Sequence, residues 1–113
     1  MNGWIGVDLD GTLAHYDGWV SETHIGRPIH DMVKRVRNFL EEGYEVRIFT
    51  ARVYAGNGRD VAAVREAIEE WCLEHIGQVL AVTNEKDYGM IQLWDDRCVQ
   101  VVPNTGRPIL SEV

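Results

Sequence analysis

The chain has 113 residues, and its 18 acidic against 11 basic side chains give a formal charge of −7 and a pI near 4.9. That balance argues against a dedicated nucleic-acid binder with a basic face, but leaves room for a nucleotide or phosphate ester, because a metal ion can supply local positive charge. The length suits one domain spanning residues 1–113 that needs no covalent staples. No apolar run approaches membrane-spanning length and no leader pattern opens the chain. Cys72 and Cys98 lack CxxC or zinc spacing, so a reducing, cytoplasmic setting is expected.

The first element lies within residues 4–14, WIGVDLDGTLA, where Trp4, Ile5, Val7 and Leu9 form an apolar run. Such a run bounded by turn residues suits a strand buried on both faces, as in a parallel sheet, ending at Asp10–Gly11. Asp8 and Asp10 then fall at the carboxyl end of a central strand, where open α/β sheets bind ligands. Carboxylates there are costly unless they meet a cation, hydrogen-bond donors or each other. An Asp-Gly turn accounts for Asp10, but Asp8, inside the apolar run, has no such reason. Residues 14–28 (AHYDGWVSETHIGRP) carry turn formers and little periodicity, which predicts a loop or short hairpin closed by Pro28. In that loop Tyr16, Trp19, His24 and Arg27 are candidate substrate contacts, although Tyr16 and Trp19 serve equally well as packing residues. His15, His24 and His30 fit no zinc spacing and read as solvated.

From Ile29 the period changes. Ile29, Met32, Val33, Val36, Phe39 and Leu40 mark one helix face, and Gly43 is the expected left-handed cap. Residues 44–49 (YEVRIF) predict a second strand, ending in Thr50-Ala51-Arg52 at the carboxyl edge. Arg52 is a candidate oxyanion ligand, since a guanidinium makes forked contacts with phosphate oxygens. A polar loop follows, and Arg59 in it is a candidate border of the pocket. Asp60 is placed to cap a helix through Val61, Val64, Ile68, Trp71, Cys72 and Ile76, stopping at Gly77. Cys72 falls on its apolar face and reads as packing. Residues 78–82 (QVLAV) predict a third strand and 90–94 (MIQLW) a fourth that stops in Asp95-Asp96-Arg97; 98–102 (CVQVV) is a fifth apolar run. Strands alternating with helices predict an α/β fold with a doubly wound, mainly parallel, Rossmann-like sheet.

The order DLDGTL, FTAR, Lys86 and LWDDR, each at or near a strand end, resembles the four motifs of the haloacid dehalogenase (HAD) superfamily, over residues 5–102. It is similar to small phage-type members, and TAR with DDR is similar to the 3′-phosphatase domains of polynucleotide kinases. The resemblance implies that Asp8 is the nucleophile, Asp10 the general acid and base, and Thr50 a phosphoryl-oxygen ligand. It also implies that Lys86 offsets the charge on Asp8 and the phosphoryl group, and that a flap occupies about residues 14–28. Larger members insert a cap domain; here each interval between motifs is filled by a loop, a helix and at most one strand, so a capless, HAD-like domain is expected.

Adjacent carboxylates repel, and Asp95 and Asp96 held beside Asp8 call for a divalent cation. Oxygen-only ligands select Mg²⁺, with Asp8, Asp10, Asp95 and Asp96 as candidate metal ligands; Asp96 is favoured as a direct one, with Asp95 either direct or one layer out. Thr50, Arg52, Lys86 and Arg97 are the candidate substrate ligands. The expected activity is Mg²⁺-dependent hydrolysis of a small phosphorylated metabolite or nucleotide through an aspartyl-phosphate. One alternative is a nucleic-acid end (3′-phosphate) phosphatase, which Arg52 and Arg97 resemble. The other is a non-catalytic phosphate- or metal-binding regulatory module, as in receiver domains, although their phosphoacceptor follows a later strand than the acidic pair.

Overall fold

In the computed structural model, which describes residues 2–109, the elements run β1 (Trp4–Asp8), α1 (His30–Glu41), β2 (Glu45–Phe49), α2 (Val61–His75), β3 (Ala81–Thr83) and β4 (Met90–Trp94). The fold is α/β. Its four strands form one all-parallel sheet in the order β3-β2-β1-β4. The chain winds outward from β1 to β2 and β3, then returns to the other side of β1, which is the order reversal of a doubly wound, Rossmann-like sheet. Two short 3₁₀ turns, Ala51–Val53 and Ala55–Asn57, bridge β2 to α2. Among the described residues no cap domain is inserted, and no helix is long and apolar enough to cross a membrane.

β1 is central because its sequence lets it be buried on both faces. Ile5 and Val7 point to the side where Val46, Ile48 and Val82 join Met32, Val33 and Val36 of α1 and Val64, Ile68 and Cys72 of α2 in one core. Each large aliphatic side chain buried there contributes about 1.5–3 kcal/mol. Burial pushes the Cys72 thiol up to about 12, as expected of a packing residue. The opposite face carries the alternate residues, Trp4, Gly6 and Asp8. Trp4 is covered by the Arg47 guanidinium, 4.4 Å from its ring centroid, and donates its indole N–H to Asp87 at 2.8 Å. That bond, then the Gly89 N–H, holds the Asp87 carboxyl below its usual range. These contacts pin residues 84–89, which run from the carboxyl edge of β3 to the amino edge of β4.

Helix ends follow the sequence closely. Gly43, at φ +91°, ends α1 with its N–H on Leu40 O while the Tyr44 N–H reaches Phe39 O. The Asp60 side chain caps α2 by accepting the Ala63 N–H at 3.1 Å. Two expectations shift. The third strand begins at Ala81 rather than Gln78, because Val79 faces solvent and Leu80 enters the core before pairing starts. The fifth apolar run joins no sheet: Val99 and Val101 are exposed, and the segment doubles back so that Val101 bridges Pro108 and the Ile109 N–H reaches Gln100 O.

Candidate functional site

The carboxyl edge of the sheet, where the strand order reverses at β1, opens into a cleft of about 480 Å³. Asp8, Asp10, Thr50, Arg52, Asp95, Asp96 and Arg97 line it, together with Tyr16 and Trp19 of the 14–28 flap and Arg59. Lys86 does not. It is exposed on the 84–89 crossing, whose next residue, Asp87, accepts the Trp4 indole N–H. His24 and Arg27 also lie outside the cleft lining.

Asp8 ends β1, and Asp95 and Asp96 follow β4. The parallel register that sets Val7 beside Trp94 brings the three together. One carboxylate oxygen from each lies within 4.8 Å of the others. Burial, the charge of Asp95 and a hydrogen bond with Asp96 push Asp8 from 3.8 up to about 7, against the lowering effect of the Thr12 hydroxyl. None of the ion pairs among the described residues reaches this trio.

Thr12 ties the trio together. Its hydroxyl accepts the Asp96 N–H at 3.0 Å, and its single proton is shared between Asp8, at 3.2 Å, and Asp96, at 3.3 Å. Gly11 makes the close approach possible. At φ +88° a Cβ there would stand 2.5 Å from Asp96 Oδ2. Motif spacing does not single out Thr12; its sequence signal is a hydroxyl directly after an Asp-Gly turn at the end of an apolar strand. The Arg97 N–H donates to Asp95 Oδ1 at 2.8 Å, so Arg97 fixes one acid through its backbone while its side chain borders the cleft.

Asp10 belongs to a different assembly. Strand alternation would set it on the same face as Asp8, but the backbone coils at Leu9, whose carbonyl accepts the N–H groups of Thr12, Leu13 and Ala14. The Asp10 carboxylate instead faces Arg52, which donates Nε–H to Oδ2 at 2.7 Å and Nη2–H to Oδ1 at 2.9 Å. The structure therefore separates Asp10 from the three acids with which the sequence grouped it as a metal ligand. Arg52, a candidate oxyanion ligand from the sequence, is 5 % exposed and occupied by protein contacts. Thr50, also buried, hydrogen-bonds Thr83 O through its backbone N–H, and its Oγ1 accepts the Arg52 N–H at 3.1 Å, which leaves the hydroxyl proton to be donated.

No family model matches the chain, and no curated protein matches its sequence. Among solved structures, that of a conserved protein coded by a locus from Bacteroides thetaiotaomicron is similar, with a TM-score of 0.60 and 22% sequence identity, over 92% of this chain and 84% of that one. The likeness extends to the fold: an α/β chain with a parallel, Rossmann-like sheet.

Proposed function

We propose that the protein is a Mg²⁺-dependent phosphomonoester hydrolase of the haloacid dehalogenase type, forming an aspartyl-phosphate on Asp8. One observation carries this reading: three carboxylates from two strands converge at the switch point of the sheet, and among the described residues no basic side chain is paired to them. The donor set fits the ion. Three oxygens within 4.8 Å, without nitrogen or sulfur, suit a hard divalent cation, and burial followed by the charge of Asp95 pushes Asp8 up to about 7, which a bound cation would offset. Asp8, Asp95 and Asp96 would hold Mg²⁺, which when bound supplies positive charge to the phosphoryl oxygens and favours ionised Asp8.

The chain's own groups account for the rest. The Asp8 carboxylate attacks phosphorus in line, forming an acyl phosphate as the ester P–O bond breaks. Asp10 gives the leaving oxygen a proton, then takes one from the water that hydrolyses the acyl phosphate. Thr50 donates its hydroxyl to a phosphoryl oxygen. Lys86 is exposed and joins none of the ion pairs among the described residues; Arg52, Arg59 and Arg97 are the cationic residues that line the cleft. The substrate class is a small phosphorylated metabolite or nucleotide. A nucleic-acid 3′-phosphate end is the second reading, favoured by the uncapped cleft with Arg97 at its edge. Hydrolysis of an aryl phosphate and a phosphomonoester panel, with Mg²⁺ and with chelator, tests the proposal. Turnover that needs Mg²⁺ and vanishes in Asp8→Asn is the expected result; a wild-type protein inert across the panel refutes it and leaves the silent regulatory module.

A further inference from the structure

We propose that Arg52 is the latch of the flap: a positioning residue whose one guanidinium holds both Asp10 and the flap tip, so that the docking of the tip and the aim of Asp10 are set together. The catalytic half of this inference rests on the phosphatase reading; the mechanical half stands without it.

The donor count points to a latch rather than a substrate ligand. A guanidinium has five N–H groups. Nε and Nη2 each give one to Asp10, and Nη1 donates to the carbonyls of Glu22, at 2.9 Å, and Ser21, at 3.3 Å. Only one Nη2 hydrogen remains, on a side chain that is 5 % exposed. A phosphate would have to break the Asp10 pair or release the flap before it could be gripped by the fork.

The flap is fastened at its stem and its tip by different means. The stem carries a bridge between Ala14 and Pro28, the His15 N–H on Arg27 O, and the Trp71 indole N–H on Gly26 O. Beyond the stem, the hydrogen bonds from the body of the protein to Ser21 and Glu22 among the described residues are those of Arg52, and the same guanidinium lies 5.2 Å from the Trp19 ring centroid. Arg59 reinforces this side, with its guanidinium 4.9 Å from that centroid and Nη1 3.4 Å from Arg52 O. Loss of the Arg52 contacts therefore leaves the tip with only the Arg59 contact to Trp19, leaves the stem closed, and releases Asp10 at the same moment.

Hydrogen exchange of the full chain tests the mechanical half. In Arg52→Lys the His24 amide, which donates to Ser21 at the tip, should exchange about tenfold faster or more, while 13–15 and 25–29 stay as in wild type, because bonds to charged groups are lost at the tip alone. Asp10→Asn, at a residue whose side chain makes no hydrogen bond to the flap, should speed exchange of the same His24 amide by halving the fork that holds Arg52. Two variants keep the test decisive if one folds poorly. For the catalytic half, Arg52→Lys should lower kcat on an aryl phosphate about tenfold or more through a misaimed Asp10 while KM stays within about twofold. Guanidinium ion should restore part of the rate in Arg52→Ala. A raised KM at unchanged kcat would assign Arg52 to the substrate, and unchanged flap exchange in both variants would overturn the latch. A wild-type protein without turnover defeats the phosphatase reading alone, since the exchange arm does not depend on it.

Discussion

Replacing Asp8 by Asn should make the metal-free protein more stable at pH 8 while abolishing turnover. The folded state raises the titration of Asp8 from 3.8 to about 7, chiefly by burial and the charge of Asp95. A carboxyl with a raised folded pKa binds its proton more tightly when folded. Stability is therefore unaffected below pH 4, declines as pH rises from about 4 to 7, and is fully reduced above 7. The shift of about three units corresponds to about 4 kcal/mol at about 1.4 kcal/mol per unit. Because Asp8 faces an open cleft, solvent screening brings this to about 2 kcal/mol. For a domain of this size that is about 8 °C in Tm at pH 8, shrinking toward zero at pH 4. Thermal unfolding of both proteins from pH 4 to 8 in chelator measures it. A difference in Tm that does not vary with pH, or a less stable Asn variant at pH 8, would refute the account of the trio as uncompensated charge.

The remaining expectations concern the trio and its surroundings. Mg²⁺ at a hundredfold above its dissociation constant should stabilise the wild type by about 2.7 kcal/mol at pH 8, an effect that chelator reverses and Asp96→Asn removes, read by thermal shift. Gly11→Ala places a methyl 2.5 Å from Asp96 Oδ2 at a φ of +88°, so it should cost about 2 kcal/mol in urea unfolding and weaken the Mg²⁺ shift as well. A thiol reagent at pH 8 should label exposed Cys98 promptly and reach Cys72, buried and pushed up to about 12, only in denaturant; prompt modification of two thiols would contradict the packing described.

Periodicity carried most of the fold. The apolar face of α1, the Asp60 cap and Gly77 stop of α2, and the runs at Trp4 and Met90 are local signals that the core merely completes. The third strand and the fifth apolar run were less legible, because an apolar run does not say whether it will find a partner. Val79 and Val99 look alike in the sequence to Val82, yet only Val82 has a neighbouring strand to pair with and a helix to cover it. At the site, strand ends placed Asp8, Thr50, Asp95 and Asp96 on one edge. What escaped depends on backbone path. The coil at Leu9 turns Asp10 toward Arg52, and Lys86, on the crossing tied by Asp87, is not among the residues lining the cleft; neither leaves a trace in residue spacing.

The position of β4 has a mechanical consequence. It is the outermost strand on its side of the sheet, followed in the chain by the doubled-back 98–109 segment, and residues 95 and 96 directly after it supply two of the three clustered acids. A cation gripped by Asp8, Asp95 and Asp96 would brace the rim strand against the centre of the sheet, and loss of that ion would leave like charges prying the same two strands apart. Filling the cleft and fastening the border of the protein are thus one event.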